Sequence, residues 1–510
     1  MTNQSSSEKF LVMDKTKLKQ VDVPLECSIN LESTQAVERV LTVNVSAEKL
    51  TTESLLKEAN VSGILAVDLI YLTQDGNVYT NKYTSPFSCK VTDDKIDTNS
   101  KIKIKVVSAK GEVSSIHTSL AKVNCLVSLD GYLYNNNEMS YLYNENSDVC
   151  TQSEDISVIK MSDVQNSSWT ESMEVEVKEP TSKVLYTNTN AFVKDYEIGT
   201  NYVSVTCNLD SEIVYLTDEE VPQIKTAHKT SEVKQEIEFS GISKENTCEV
   251  SVMVANSDVK TTIENVEKDI KLSLSIPLDV SIVAFETQNL NVVCDLFSVT
   301  KNVAITSSSY QSTSFCEPIV FDKKVEGSLT LSENDAPIDK LLAVNYSKVI
   351  VTNEYFDMGT YNVGGVIQTN LVYFSEDEAR VCSLDVEFPF IISTQTDYTS
   401  DYLTDLDIQV CDVDVMVKRG KDVYIDAVVK VRTNVCVASQ GAVITDVTYL
   451  DDLPQKDCAI EIYFAKAGEK VWDIAKKLCV MPEVLYAQNQ DLTEVLEKDE
   501  KLAIYYQLNN

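Results

Sequence analysis

A threefold internal repetition, spaced far more widely than a solenoid repeat, is what most limits how this chain can fold. The segments Arg39-Val40-Leu41-Thr42-Val43-Asn44, Lys183-Val184-Leu185-Tyr186-Thr187-Asn188 and Lys340-Leu341-Leu342-Ala343-Val344-Asn345 place a basic residue, an apolar pair and an asparagine in register. A tyrosine follows each asparagine 27, 27 and 28 residues later, in Ile70-Tyr71-Leu72, Val214-Tyr215-Leu216 and Val372-Tyr373-Phe374. Successive asparagines lie 144 and 157 residues apart, so each unit with its connector has the size of a domain. At 510 residues the chain is also too long for a single compact core. The expected units are residues 21–150, 151–298 and 299–453, followed by a small module at 459–507.

A two-residue period says what each unit is made of. Ile102, Ile104 and Val106 alternate with Lys101, Lys103 and Lys105, and Cys248, Val250, Val252 and Val254 correspond in the second unit. Long late strands follow, at Leu272, Leu274, Ile276, Leu278, Val280 and Ile282, and at Val423, Ile425, Ala427, Val429, Val431 and Val435. Half-buried alternation of that length predicts a mainly β chain of three repeated antiparallel sandwich or barrel-like domains; a parallel α/β sheet would show continuous apolar runs. A Pro-Phe pair occurs at Pro86-Phe87 and Pro389-Phe390 but not in the second unit, the most diverged. The polar stretches Asn135-Asn136-Asn137, Asn144-Glu145-Asn146, Ser307-Ser308-Ser309 and Ser312-Thr313-Ser314 read as loops or extended joins. Asp451-Asp452-Leu453-Pro454-Gln455 reads as a linker that leaves the last module some freedom.

That module has another texture. Alternating Ile460, Ile462 and Phe464 end at Ala467-Gly468, and Val471, Ile474, Ala475 and Leu478 then recur at helical spacing. Pro482 suits the first turn of a second helix running to about Asn489, and Leu502 and Ile504 alternate in a closing strand. The order is βααβ. Gly468-Glu469-Lys470-Val471-Trp472-Asp473-Ile474-Ala475, with Val480, Leu485 and Asn489 after it, resembles a LysM domain, whose usual form is Gly-Asp-Thr-Leu-Trp-Asp-Ile-Ala. The resemblance implies a groove for N-acetylglucosamine polymers between two loops, here around Gly468, Glu469, Asn489 and Gln490. Both loops depart from the pattern: Lys470 stands for a small Thr or Ser, Gln490 for a frequent Pro, and Asp499-Glu500 for a Gly-Asp. Tight binding of chitin or peptidoglycan is therefore not expected.

Trp472 sits about 100° around the helix from Val471, at the margin of the apolar stripe. Partly exposed there, it is the expected anchor for a protein partner, with Lys470 and Asp473 as a charged rim. The alternative is that its indole folds over the second helix as core.

Composition narrows the partner. A formal net charge of −35 would be repelled by nucleic acid and by anionic membranes. The first residues, Met1 to Lys9, form neither a basic nor an apolar targeting segment, and no run approaches a membrane span, which predicts a cytoplasmic protein. Thirteen cysteines are spread singly without metal-ligand spacing, as buried thiols in a reducing compartment would be. No catalytic residues, cofactor or metal are expected. His117 and His228 fall in different units, and the acidic groups Asp93-Asp94, Asp218-Glu219-Glu220 and Glu376-Asp377-Glu378 fall largely where turns should be.

Three such β units ahead of a terminal LysM-like module resemble the SipL-like family of clostridial spore morphogenetic proteins, which carry repeated SPOCS domains. The resemblance implies a non-enzymatic scaffold in the mother-cell cytoplasm, at the forespore surface. Its LysM domain would bind the ATPase of the coat basement layer, and its β units other coat proteins. A phage-tail or wall-associated protein gripping peptidoglycan is the other reading.

Overall fold

The computed structural model describes residues 6–31, 36–117, 119–143, 149–220, 222–266, 269–454 and 456–506. The first stretch holds β1 (Ser6–Lys17), β2 (Val21–Asn30), β3 (Val37–Ser54), β4 (Glu58–Thr73), β5 (Val78–Thr92), β6 (Lys101–His117) and β7 (Leu120–Tyr143). The second holds β8 (Val149–Val177), β9 (Thr181–Ile198), β10 (Tyr202–Thr217), β11 (Ile224–Glu238), β12 (Thr247–Val254), β13 (Lys260–Val266) and β14 (Asp269–Ser298). The third holds β15 (Lys301–Phe315), β16 (Ile319–Thr330), β17 (Lys340–Asp357), β18 (Thr360–Ser375), β19 (Arg380–Gln395), β20 (Tyr402–Lys418) and β21 (Asp422–Asp452). The end of the chain is β22 (Ile460–Ala465), α1 (Val471–Leu478), α2 (Pro482–Gln488) and β23 (Glu500–Tyr505).

Connectivity repeats with the strands. In the first stretch β7 is the hub, pairing with β1, β2 and β6; β21 pairs with β15, β16 and β20 in the same way. The second stretch runs one long β8 along β14 where the others use two strands, and splits the remaining partner into β12 and β13. The three middle strands of each stretch form a sheet of their own, β3-β4-β5, β9-β10-β11 and β17-β18-β19. The described strand pairs are antiparallel, as the two-residue alternation predicts. Along β14 the residues from Leu272 to Ile282 on the apolar register are all buried, and Val423 to Val431 on β21 repeat the pattern. Each such side chain contributes about 1.5–3 kcal/mol of transfer free energy, so the hub strands anchor the units. The two sheets of the first stretch come close: a Cβ on Gly111 of β6 would lie 2.4 Å from Val45 Cγ2 of β3.

The repeated landmarks occupy one register. Asn44, Asn188 and Asn345 face Asp68, Glu212 and Asn370, each three residues before Tyr71, Tyr215 and Tyr373. Those tyrosines in turn face Val40, Val184 and Leu341. The motif residues meet across the units: Leu41, Ile70 and Leu72 from the first share one core with Leu185, Tyr186 and Val214 from the second and Ala343, Tyr346 and Val372 from the third. β4 and β5 touch β9, β10 and β11 touch β17, and β19 touches β3, so the three small sheets close a ring. Polar groups knit the seam. Asn44 Nδ2 donates to Tyr186 OH (2.6 Å), Thr42 Oγ1 to Asn370 Oδ1 (2.9 Å) and Asn345 Nδ2 to Thr42 Oγ1 (2.7 Å).

Below the ring, the β1–β7, β8–β14 and β15–β21 pairs pack as a three-part stem, with Phe10 and Tyr141, Val158 and Val292, and Val443 in one cluster. β1 precedes residue 21, the expected start of the first unit, yet pairs along its length with β7. Three of the polar stretches expected as loops or joins lie in stem strands: Asn135–Asn137 within β7, and Ser307–Ser309 and Ser312–Ser314 within β15. Two of their polar side chains join the units. Asn136 exchanges two hydrogen bonds with the backbone of Met161, and Thr313 Oγ1 accepts from the Lys15 amide at 3.0 Å. Asn144–Asn146 lies outside the described residues.

Charges are also buried between units. Lys15 Nζ of the first unit is 2.5 Å from Glu249 Oε1 of the second, both buried, and Tyr134 OH also donates to Glu249. Lys103 and Lys105 of the first unit reach Asp405 of the third at 2.8 and 3.1 Å. Burial opposes the Asp405 charge, but Lys103, Lys105 and Lys15 outweigh it and hold the carboxyl well below the usual range.

Candidate functional site

The terminal module packs the residues that helical spacing singles out. Val471, Ile474, Ala475 and Leu478 of α1 are buried with Leu485 of α2 and Leu502 and Ile504 of β23. Pro482 opens α2, and α1 ends on Cys479 in the left-handed region (φ 55°), where Val480 N donates to Ala475 O at 3.0 Å. This small helical region fits a LysM-like domain.

The glycan-type positions are drawn into the module itself. Gly468 turns the chain at φ +89°, and its N–H donates to Leu496 O (2.8 Å) while Leu496 N donates to Glu469 O (3.0 Å), so the two loops are joined by backbone. Asn489 Nδ2 donates to Leu485 O and Ala503 O, and its Oδ1 accepts from Ala503 N at 2.8 Å. That amide stitches α2 to β23. Glu469 accepts from Lys466 N and from Tyr463 OH, while Gln490 is exposed. Asp499 Oδ1 accepts from Ala467 N at 2.9 Å, bracing the loop.

Lys470 and Asp473 are exposed, Asp473 in the first turn of α1 where the helix dipole favours a carboxylate. Trp472 between them is half-buried, and neither expected setting describes it fully. Its ring meets Phe297 at the end of β14, with centroids 5.1 Å apart at 66°, and its Nε1–H donates to Asp295 Oδ2 at 2.8 Å. Lys476, one turn on, places Nζ 2.5 Å from Asp295 Oδ1. The module therefore sits against the stem of the middle unit, where the linker composition predicts freedom. Apolar and charged contacts at Phe297 and Asp295 override the linker, and nothing in the local sequence marks those two residues.

β22 turns its strongest apolar row to solvent. Ile460, Ile462 and Phe464 are 53%, 58% and 66% exposed, while Tyr463 and Ala465 on the other register face the module core. Across the strand pair lie Tyr505, Ala503 and Lys501, with Tyr505 54% exposed and Lys501 Nζ 5.4 Å from the Phe464 ring. The alternation in the sequence carries this signal, because Ile460, Ile462 and Phe464 share a register with Tyr505 on one sheet face.

The other titratable groups that the sequence singles out are spread over different units. His117 is exposed at the end of β6, far in sequence from His228, which sits 2.6 Å from Asp210 in a cavity of about 50 Å³ that Glu212 and Asp412 also line. The Asp218 and Glu376 groups are exposed in the β10–β11 and β18–β19 connections. Among the described residues no cluster of His, Cys, Asp and Glu is placed to hold a metal, and no helix is long and apolar enough to cross a membrane. Cys125, Cys207, Cys248 and Cys436 are buried as free thiols.

Residues 180–277, from β9 into β14 of the middle unit, match the family described as SipL, SPOCS domain. No curated protein and no solved structure matches the chain. The match falls on the unit that lacks the Pro-Phe landmark, and it points to a sporulation-related coat protein. Over residues 180–277, in its middle unit, the chain is thus similar to the SipL family's SPOCS domain.

Proposed function

We propose that the chain is a non-enzymatic spore coat scaffold whose LysM-like module binds the ATPase of the coat basement layer and so helps attach the coat at the forespore surface, in the mother-cell cytoplasm. In this reading residues 21–150, 151–298 and 299–453 are three homologous SPOCS-like units, available to other coat proteins, and 459–507 is the partner-binding module. The observation that carries it is the open apolar face of β22 and β23. Contiguous exposed Ile460, Ile462, Phe464 and Tyr505, rimmed by Lys501, have the make-up of an interface centre with no cover among the described residues. Exposed Lys470, at the N-cap of α1, and Asp473, in its first turn, are charges that steer encounter. Trp472 contributes to the partner where its indole edge remains open, and to the stem through the rest. Glycan binding is disfavoured by the internal use of Asn489 and the joined loops.

The test uses the full chain with Ile462→Arg and Phe464→Arg together, its melting temperature, and its affinity for the purified coat ATPase. An interface centre of this kind is worth about 2 kcal/mol or more per residue, roughly 30-fold each, so capture should be lost at unchanged melting temperature. Undiminished capture would sink the reading, and saturation by micromolar chito-oligosaccharide would favour the glycan-binding one.

A further inference from the structure

The module touches the stem through few groups, and those groups are specifically aimed. β14 carries a bulge at Cys294: Val293 faces Ser153 and Asp295 faces Gln152, leaving Cys294 as the extra residue, exposed. A bulge re-aims the side chains that follow it. Beyond this one, Leu296 points into the stem with Ile444 and Val447, while Asp295 and Phe297 share the opposite face. Phe297, 4% exposed, belongs to the core of the module rather than of the stem that bears it. The first unit pairs β1 with β7 without such a shift.

We infer that this end of β14 is a docking surface for the chain's own LysM-like module, with Asp295 as a latch that grips Trp472 and Lys476 together. Asp295 uses both oxygens, Oδ2 for the indole N–H and Oδ1 for the ammonium, so one carboxylate fixes α1 both in position and in rotation. Phe297 supplies the apolar floor beneath the indole. Docked in this way, the module turns α1 to the stem and holds the β22–β23 face outward in one orientation. The latch is also built to open. The side chains of Asp295 and Lys476 are 27% and 40% exposed, so salt screens the pair, and once it is broken the module keeps only the apolar contact at Phe297 and its tether, the short connector after Asp452. The consequence rests on the reading above: a partner on the sheet face can bind with the latch closed, whereas one that takes the whole of Trp472 must open it.

The chain has two tryptophans, so a Trp169→Phe background leaves Trp472 as the sole indole reporter. In the full chain without any partner, Asp295→Lys and Lys476→Glu, one on each side of the contact, are each expected to red-shift its emission and to raise acrylamide quenching about twofold. Reversing both charges together, D295K/K476E, rebuilds the ion pair but leaves the indole N–H without its acceptor, so quenching should return only part of the way to the parent, and 1 M salt should open the parent but leave the opened single variants unchanged. Parental quenching in either single variant overturns the latch, as does a double variant as open as the singles. Because no coat ATPase is present, failure here leaves the proposed partner untouched, and failure of ATPase capture leaves the latch untouched.

Discussion

The body of three β units and the terminal module hold themselves together by opposite means. In the body, charge is buried between units: Lys15 and Glu249 are both nearly inaccessible, and Asp405 is almost so. In the module, charge meets charge at a half-exposed margin, where Asp295 receives Trp472 and Lys476. A buried pair demands that both partners stay, since desolvation of either alone is costly, whereas a margin pair can be made and broken. The body is thus built as one cooperative piece and the module as an attachment. The motif residues Leu41, Leu185 and Ala343 sharpen the contrast, because they lie at the junction of the units rather than inside each one.

The strongest way to break this contrast is Glu249→Gln. It leaves Lys15 buried without its counter-charge, at an expected cost of about 3–5 kcal/mol, and calorimetry should show the whole body melting earlier in one transition. The pair Lys15→Met with Glu249→Leu should recover most of that loss. Separate transitions for the three units would mean that they are not one piece.

A middle-sized effect concerns pH. Glu212 Oε1 is buried without a hydrogen-bond partner, and burial, opposed by the nearby His228 charge, pushes its carboxyl up to about 8. The folded chain then holds a proton that the unfolded chain has lost between about pH 4.5 and 8. Stability therefore falls as pH rises across that window, by at most about 1.4 kcal/mol per pH unit for this one group. His228, raised chiefly by its hydrogen bond to Asp210, acts in the same direction above its ordinary value. Melting temperatures from pH 5 to 8 should decline, and Glu212→Gln should flatten the decline; an equal slope in the variant would remove Glu212 from the account.

The smallest expected effect lies in the module. Ile462→Asn on the open face should change stability by no more than about 0.5 kcal/mol in a denaturant titration, because that side chain is 58% exposed among the described residues. A larger loss would show that the β22 row is core, and the contrast between body and attachment would lose its functional half.

Sequence by itself determined the alternating apolar strands, the antiparallel class, the threefold register of asparagine and tyrosine, and the four buried positions of α1, because each depends on a periodicity of 2 or 3.6 that neighbouring residues display. It also determined that the acidic triplets would be solvated, since turns follow the repeat tyrosines. Asn136 and Thr313 were illegible as strand residues, because a polar side chain that hydrogen-bonds another unit looks, in isolation, like a loop. Only the tertiary structure decided that the repeat motif is a seam, that Lys15 finds Glu249 across 234 residues, and that Trp472 rests on Phe297 and Asp295. Burial and Coulomb energy depend on distance in space, and local pattern carries no information about which distant face will arrive.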